Sequence, residues 1–172
     1  MKSLRENLVM DLEVIDNFLP SSQFEKIQSY MIGDGNFPWF YNNGIVDNDD
    51  GLYQFIHFFY QPNGTVSRCY SLILPILTRL RVSEIYKIKA NLIPRTVFKR
   101  KSRYHIDGDG LWEKKKTAIL YLNTTNGYTS FKGYRNVKTV ANRMVIFPNE
   151  MEHRAVTCTN KKVRSVINFN YE

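Results

Sequence analysis

Two histidines and one aspartate are the residues best suited to chemistry. His105 and Asp107 stand two apart in Y-H-I-D, and His153 is the next histidine down the chain. On a strand, residues two apart project from one face, so both side chains can reach a single ion. His153, brought in from a distant strand, would complete a two-histidine, one-carboxylate face. About three positions of an octahedral metal then stay open, a pattern that suits non-haem Fe(II) with a co-substrate and O2. Arg164 follows eleven residues after His153 in V-R-S-V-I-N-F-N. Its guanidinium is permanently charged and forked, which fits one carboxylate of a diacid.

Strand alternation must position these groups. Along Val163–Tyr171, Arg164, Val166, Asn168 and Asn170 share one face, and Ser165, Ile167, Phe169 and Tyr171 the other. Thr117, Ile119, Tyr121 and Asn123 share a face opposite Ala118, Leu120 and Leu122, and Asn126-Gly127 reads as a hairpin turn into Tyr128–Phe131. Ile85–Leu92 sets Ile88, Ala90 and Leu92 against Lys87, Lys89 and Asn91, the pattern of a half-buried strand. Val137–Val140, Arg143–Phe147 and His153–Thr159 are the remaining strands of the second half.

The first half supplies support. Leu12–Ile15 reads as a first strand. Ser22-Gln-Phe-Glu25 has capping-box spacing, and Phe24, Ile27 and Met31 form one stripe, predicting a helix over about 22–32 that Gly33 and Gly35 end. Phe37-Pro-Trp-Phe-Tyr41 reads as a strand covering the core, with a substrate-entrance wall at Trp39 or Tyr41 as the alternative. Leu52–Tyr60 is an aromatic strand in which His57 is a packed structural histidine. A helical segment over about 65–82 presents Leu72, Ile76 and Leu80, and Pro75 kinks or restarts it. Thr96–Arg103 is a basic stretch, a solvated face or else a rim attracting anions. Gly108-Asp-Gly110 is a flexible connection, and Lys114–Lys116 is a second basic run. Short strands every eight to twelve residues, with helices only in the first half, predict a mostly β chain. The expected architecture is a jelly roll, a double-stranded β-helix flanked by N-terminal helices packed on one sheet. One domain over 1–172 is expected, with 1–84 as support and 85–172 as the core that carries the site.

The H-x-D…H…R order resembles the 2-oxoglutarate- and Fe(II)-dependent oxygenase superfamily, most closely its small prolyl-hydroxylase-like branch. The runs T-A-I-L-Y-L-N at 117–123, N-G-Y-T-S-F at 126–131 and M-V-I-F-P at 144–148 carry the match further, as does K-A-N-L-x-P-R-T ahead of the H-x-D. Similar compact chains occur in bacteria and large tailed phages. The resemblance implies that His105, Asp107 and His153 hold Fe(II) and that Arg164 and Tyr121 bind the distal carboxylate of 2-oxoglutarate. Asn91 is implied as a further co-substrate contact and Thr129 as a support behind the metal. O2 is then the oxidant and ascorbate a candidate reductant. The chain departs from the branch at Ile93, where a tyrosine often precedes the proline, and at Asn126-Gly127, which stands for Gly-Gly.

Composition bounds the rest. A content of 43% hydrophobic and 14% aromatic residues fits a packed chain rather than a disordered one. No apolar run approaches the roughly 20 residues that span a bilayer, and M-K-S-L-R-E-N lacks a signal-peptide core, so a cytoplasmic location and no membrane partner are expected. Cys69 and Cys158 read as reduced thiols. A formal charge of +8 permits an anionic partner without naming it. By family analogy the first substrate expected is a protein or peptide, prolyl above all, or a small molecule. A nucleic-acid base is the alternative, and a non-catalytic barrel module a third reading. No phosphate loop, C-x-x-C pair or nucleophile elbow points to nucleotide or serine-hydrolase chemistry.

Overall fold

The computed structural model describes residues 12–33, 36–47, 51–107 and 115–172. Gly35, Gly108–Gly110 and Lys114 lie outside them. In chain order the elements are β1 (Glu13–Ile15), α1 (Ser21–Gln28, continued by a π turn over Ser29–Gly33), β2 (Phe40–Asn42) and β3 (Gln54–Tyr60). A 3-10 turn (Tyr70–Ile73) leads into α2 (Leu74–Leu80), followed by β4 (Ile85–Pro94), β5 (Lys116–Tyr121) and β6 (Tyr128–Phe131). β7 (Asn136–Lys138), β8 (Met144–Pro148), β9 (His153–Val156) and β10 (Val163–Tyr171) complete the chain.

Among the described residues, ten antiparallel strands form two sheets. The larger has seven strands in the order β1-β8-β5-β10-β4-β3-β2, and the smaller three in the order β7-β6-β9. Consecutive strands such as β5 and β6 lie in different sheets, as a jelly roll requires. Period-2 alternation then decides what each face of the large sheet holds. On one face, Ile88, Ala90, Ala118, Leu120, Ile167 and Phe169 join Phe24, Ile27 and Met31 of the α1 segment and Ile73 and Ile76 beside Pro75 in one apolar core. On the other, Ile119, Tyr121, Val145, Phe147 and Val166 meet Phe131, Val137 and Met151 from the small sheet and the loop before β9. The large sheet thus separates two cores. Phe169 is fully buried in the first, and its truncation to alanine would cost about 3–5 kcal/mol.

Local chemistry adjusts three expectations. Pro20, not Ser22, precedes the first helical turn, and its carbonyl accepts the Gln23 and Phe24 N–H groups at 3.0 and 3.1 Å. No side-chain cap forms, so the capping box is absent. The second helix is shorter than 65–82, because Val66 bridges back to Tyr60 and Pro75 sits at a helix start, where its missing N–H costs nothing. Asn126-Gly127 is not a hairpin turn. It lies where the chain passes from the large sheet to the small one, pinned by Asn126 Nδ2 donating to Thr159 Oγ1 at 2.8 Å and Thr159 N–H donating to Asn126 Oδ1 at 2.9 Å. The β1–α1 connection is likewise tied to the chain before β8. Asn142, at φ 60°, accepts from Leu19 N–H and donates to the Leu19 carbonyl. Among the described residues, no helix is long and apolar enough to cross a membrane.

Candidate metal centre and co-substrate cavity

His105 ends an extended segment that bridges to β9. Its N–H donates to the His153 carbonyl, and the His153 N–H donates back, both at 3.0 Å. The two imidazoles therefore lie side by side, with ring centroids 4.5 Å apart. Asp107, two residues on, reaches the same point. Ligand atoms of His105, Asp107 and His153 all lie within 4.8 Å of one another, and His105 Nε2 is 3.9 Å from Asp107 Oδ1.

Surrounding groups fix which atoms point inward. His153 Nδ1 is 3.0 Å from the Met151 carbonyl, which can only accept, so the proton sits on Nδ1 and the Nε2 lone pair is free to bind a cation. Phe147 packs against the His153 ring at 4.9 Å. Asp107 Oδ2 accepts from Asn170 Nδ2 at 2.9 Å and from the Thr117 hydroxyl at 3.2 Å, and that hydroxyl also lies 3.0 Å from Asn149 Oδ1. Asn149 Nδ2 donates to the Asp107 carbonyl at 2.7 Å. With Oδ2 held, Oδ1 is the oxygen left to ligate.

Electrostatics keep Asp107 and His105 in their ligand forms. Burial would raise the Asp107 carboxyl, but the neighbouring His153 and Lys87 and the Asn170 hydrogen bond outweigh it and hold it at about 2. Burial, with His153 beside it, pushes His105 down to about 4, against the pull of Asp107. Near neutral pH His105 is thus neutral and Asp107 ionised, as metal ligands must be.

Arg164 lies at the other end of the same cavity. It is 2% exposed. Nε donates to Thr139 Oγ1 at 2.9 Å, Nη2 donates to Thr129 Oγ1 at 3.0 Å, and the guanidinium carbon lies 5.5 Å from the Tyr121 ring centroid. Among the described residues no carboxylate pairs with it. The Tyr121 hydroxyl also donates to Thr129 Oγ1, at 2.7 Å. Two incoming donors fill both lone pairs of that oxygen, so the Thr129 proton is the one left to give. Gly127 makes this packing possible. A Cβ there would meet the Val156 carbonyl oxygen at 2.8 Å and Arg164 Cδ at 2.9 Å.

The cavity between the two ends holds about 560 Å³ of space between atoms, its open mouth included. Its wall includes Asn91, Ile119, Thr129 and Arg164 together with the three candidate ligands. Tyr121 stands just behind, bound to Thr129. All seven residues singled out from the sequence are thereby gathered at one site. Lys87 and Lys89 of β4 also face it. Burial, with Lys87 nearby, lowers the Lys89 ammonium to about 8, partly opposed by Asp107.

Other candidates fall away from the cavity. Trp39 donates Nε1–H to the Met31 carbonyl at 3.0 Å and packs with the helix-side core. Tyr41 is exposed and packs with Tyr53 and Phe55, whose strand face alternates with that of the cavity-lining Gln54. His57 is held between the Pro38 carbonyl and the Ser67 hydroxyl, both at 2.8 Å, as a structural histidine would be. The basic stretch is engaged along the surface. Arg103 pairs with Asp47 at 2.6 Å, Arg100 donates to the Gly51 carbonyl, and Lys99 sits over the Tyr128 ring. Sequence reasoning missed Thr139, Asn149 and the Met151 carbonyl, which reach the site from loops and carry no motif. Asn170 and Thr117 had only their shared strand faces to mark them.

No protein-family model matches the sequence, and no curated protein matches it. Solved structures do match. A prolyl hydroxylase from Trichoplax adhaerens, in complex with a hypoxia-inducible-factor peptide fragment, superposes with a TM-score of 0.64 at 15% identity. That match covers 93% of this chain and 82% of that one. A prolyl-4-hydroxylase from Pseudomonas putida gives 0.60 at 16% identity, over 95% and 94% of the two chains. HygX from Streptomyces hygroscopicus, with nickel and 2-oxoglutarate bound, gives 0.60 at 11% identity, over 94% and 82%. The chain shares the jelly-roll fold of solved 2-oxoglutarate- and Fe(II)-dependent oxygenases over nearly its whole length, with a His-Asp-His cluster able to hold a metal ion inside it.

Proposed function

We propose that this chain, as one domain, is an Fe(II)- and 2-oxoglutarate-dependent dioxygenase that hydroxylates a C–H bond of a peptide, prolyl first, or of a small molecule. One observation carries the reading. A cluster of two imidazoles and a carboxylate shares a cavity with a buried guanidinium that has no carboxylate partner among the described residues. A buried charge without a counter-ion is costly, so its place at the base of a cavity argues for an anionic ligand.

The donor set fits ferrous iron, with imidazole and carboxylate nitrogen and oxygen on one side and open positions on the other. His105, Asp107 and His153 would hold the ion, and Arg164 and Thr129 the distal carboxylate of 2-oxoglutarate, with the Tyr121 hydroxyl orienting Thr129 from behind and Asn91 lining the path between. Bound together, iron, 2-oxoglutarate and O2 supply oxidative decarboxylation to succinate and CO2 and delivery of one oxygen atom to a substrate C–H bond. The protein's part is positioning. Asn170 and Thr117 hold Asp107 in one rotamer, the Met151 carbonyl sets the His153 tautomer, and the Phe131 and Phe147 rings pack against the His153 imidazole. Ascorbate as reductant and a cytoplasmic location belong to the same proposal. The peptide-bound and 2-oxoglutarate-bound states of the similar structures support the ligand classes.

The test is Fe(II)-dependent conversion of 2-oxoglutarate to succinate without added substrate, then across peptides, nucleosides and amino acids. Wild-type protein should form succinate, and Asp107→Ala should form none. Equal succinate from both would end the assignment.

A further inference from the structure

Among the described residues, the two most exposed large apolar side chains stand next to each other, away from the cavity. Val97 is 84% exposed and Phe98 79%. They lie in the basic stretch after β4, in a loop whose two arms are tied to the chain between β9 and β10. On the first arm, Arg95 N–H donates to the Lys162 carbonyl at 2.9 Å and Thr96 N–H to the Cys158 carbonyl at 3.0 Å. On the second, the Arg100 carbonyl accepts from Thr157 N–H at 2.9 Å and Lys101 bridges to Val156. Two hydroxyls close the neck of the loop. The Thr96 hydroxyl donates to the Phe98 carbonyl at 2.6 Å, so the Thr157 hydroxyl is the donor in its own 2.6 Å contact with Thr96 Oγ1. Thr157 Oγ1 in turn accepts from Arg100 N–H at 2.8 Å. Hydrogen bonds thus hold two apolar side chains out in water, where their exposure does nothing to stabilise the free protein.

Cations flank the tip. Arg95, Lys99, Lys101, Lys161 and Lys162 are exposed, and among the described residues none of the five forms an ion pair. Neither stretch that builds this surface, 85–106 or 153–171, contains an aspartate or glutamate. An apolar pair on a surface of one sign selects among anionic partners. A stable protein interface buries about 800 Å² on each side, far more than two side chains supply, and is depleted of lysine. Single-stranded nucleic acid is held in a groove by successive stacking rings, and valine offers no stacking face. An anionic bilayer uses both features. Its acyl chains take up the apolar tip, while ammonium and guanidinium groups stay among the lipid headgroups.

We propose that the Val97–Phe98 loop docks this protein on an anionic lipid leaflet, its tip inserted at the headgroup–acyl boundary and the flanking cations on the headgroups. Tip insertion needs no spanning segment, so the lack of one, on which the expectation of no membrane partner rests, does not bear on it. The contact is independent of the metal centre and of the oxygenase reading.

The test is cosedimentation of the full chain with vesicles, of phosphatidylcholine alone or with roughly one third phosphatidylserine. Wild type should bind the anionic vesicles at least tenfold more strongly than the neutral ones. Val97→Ser/Phe98→Ser should weaken that binding at least tenfold, and Lys161→Glu/Lys162→Glu at least fivefold. Both variants should melt with wild type, because the four side chains are exposed. In Phe98→Trp, phospholipid brominated along its acyl chain should quench fluorescence beyond the wild-type level, which marks insertion rather than adsorption. A single-stranded DNA oligonucleotide and polyglutamate serve as the other anionic probes. The proposal is overturned by any of three results: no anionic-vesicle binding by wild type, equal binding by wild type and Val97→Ser/Phe98→Ser, or no added quenching in Phe98→Trp. Binding of the oligonucleotide or polyglutamate that depends on Phe98, in place of vesicle binding, overturns it as well.

Discussion

Replacing Arg164 by methionine separates a ligand-binding charge from a structural one. Methionine keeps most of the side-chain volume beside Gly127 and Tyr121 but removes the guanidinium. In the ligand-free protein the loss is limited, because Thr129 keeps the Tyr121 hydroxyl as a partner and only Thr139 loses its donor. Two hydrogen bonds at about 1 kcal/mol each are lost. Against that, the buried cation no longer has to be kept from water, a relief that offsets them in many proteins. Thermal stability without ligand should therefore change by no more than about 1–2 kcal/mol. With 2-oxoglutarate the outcome is different. Truncating one partner of a buried, hydrogen-bonded charge pair costs about 2–5 kcal/mol, and each 1.4 kcal/mol is tenfold in affinity. The dissociation constant for 2-oxoglutarate should rise roughly 30-fold at the least and several thousand-fold at the most. Calorimetric titration of the Mn(II)-loaded variant measures it, and a parallel Mn(II) titration should match wild type. A 2-oxoglutarate affinity within threefold of wild type would refute the role given to Arg164.

Neighbouring positions make separable predictions. Asn170→Ala removes the 2.9 Å donor to Asp107 Oδ2, and should weaken metal binding about 10- to 100-fold, seen as a raised Fe(II) requirement for succinate formation at unchanged 2-oxoglutarate affinity. Thr129→Val deprives the Tyr121 hydroxyl and Arg164 Nη2 of their shared acceptor, a cost of about 1–3 kcal/mol. It should raise the 2-oxoglutarate requirement without affecting Mn(II) binding in a metal titration. Gly127→Ala forces a methyl group to within 2.8 Å of a backbone oxygen and 2.9 Å of Arg164 Cδ. It should cost about 1–3 kcal/mol in chemical denaturation and loosen 2-oxoglutarate binding by displacing the guanidinium.

What the sequence made legible was mostly what strand alternation controls. The inward faces of β4 and β10 follow directly from side chains two apart, so Asn91, Arg164 and Asn170 could be assigned to the cavity side without knowing which strands pair. The clustering of His105, Asp107 and His153 was legible because imidazole and carboxylate at strand spacing have few other uses in combination with a later histidine and arginine. Non-local geometry was not legible. Asn126-Gly127 has hairpin chemistry, yet β5 and β6 belong to different sheets, and only long-range pairing decides between a turn and a crossing. Thr139 and Asn149 meet Arg164 and Asp107 across gaps in sequence that no local pattern encodes. At α1, the missing capping box shows competition between signals. A proline that fixes its own φ stands at the helix start two residues before the serine that would have capped it. The two lysines of β4 were placed on the polar face, but their meaning depends on where Asp107 and Arg164 lie in the folded chain.

A crystal structure with Mn(II) and 2-oxoglutarate tests the central claim most directly. One ion should be held by His105 Nε2, Asp107 Oδ1 and His153 Nε2, with the diacid chelating it and its far carboxylate on Arg164. An ion bound elsewhere, or a diacid lying away from Arg164, would contradict the account.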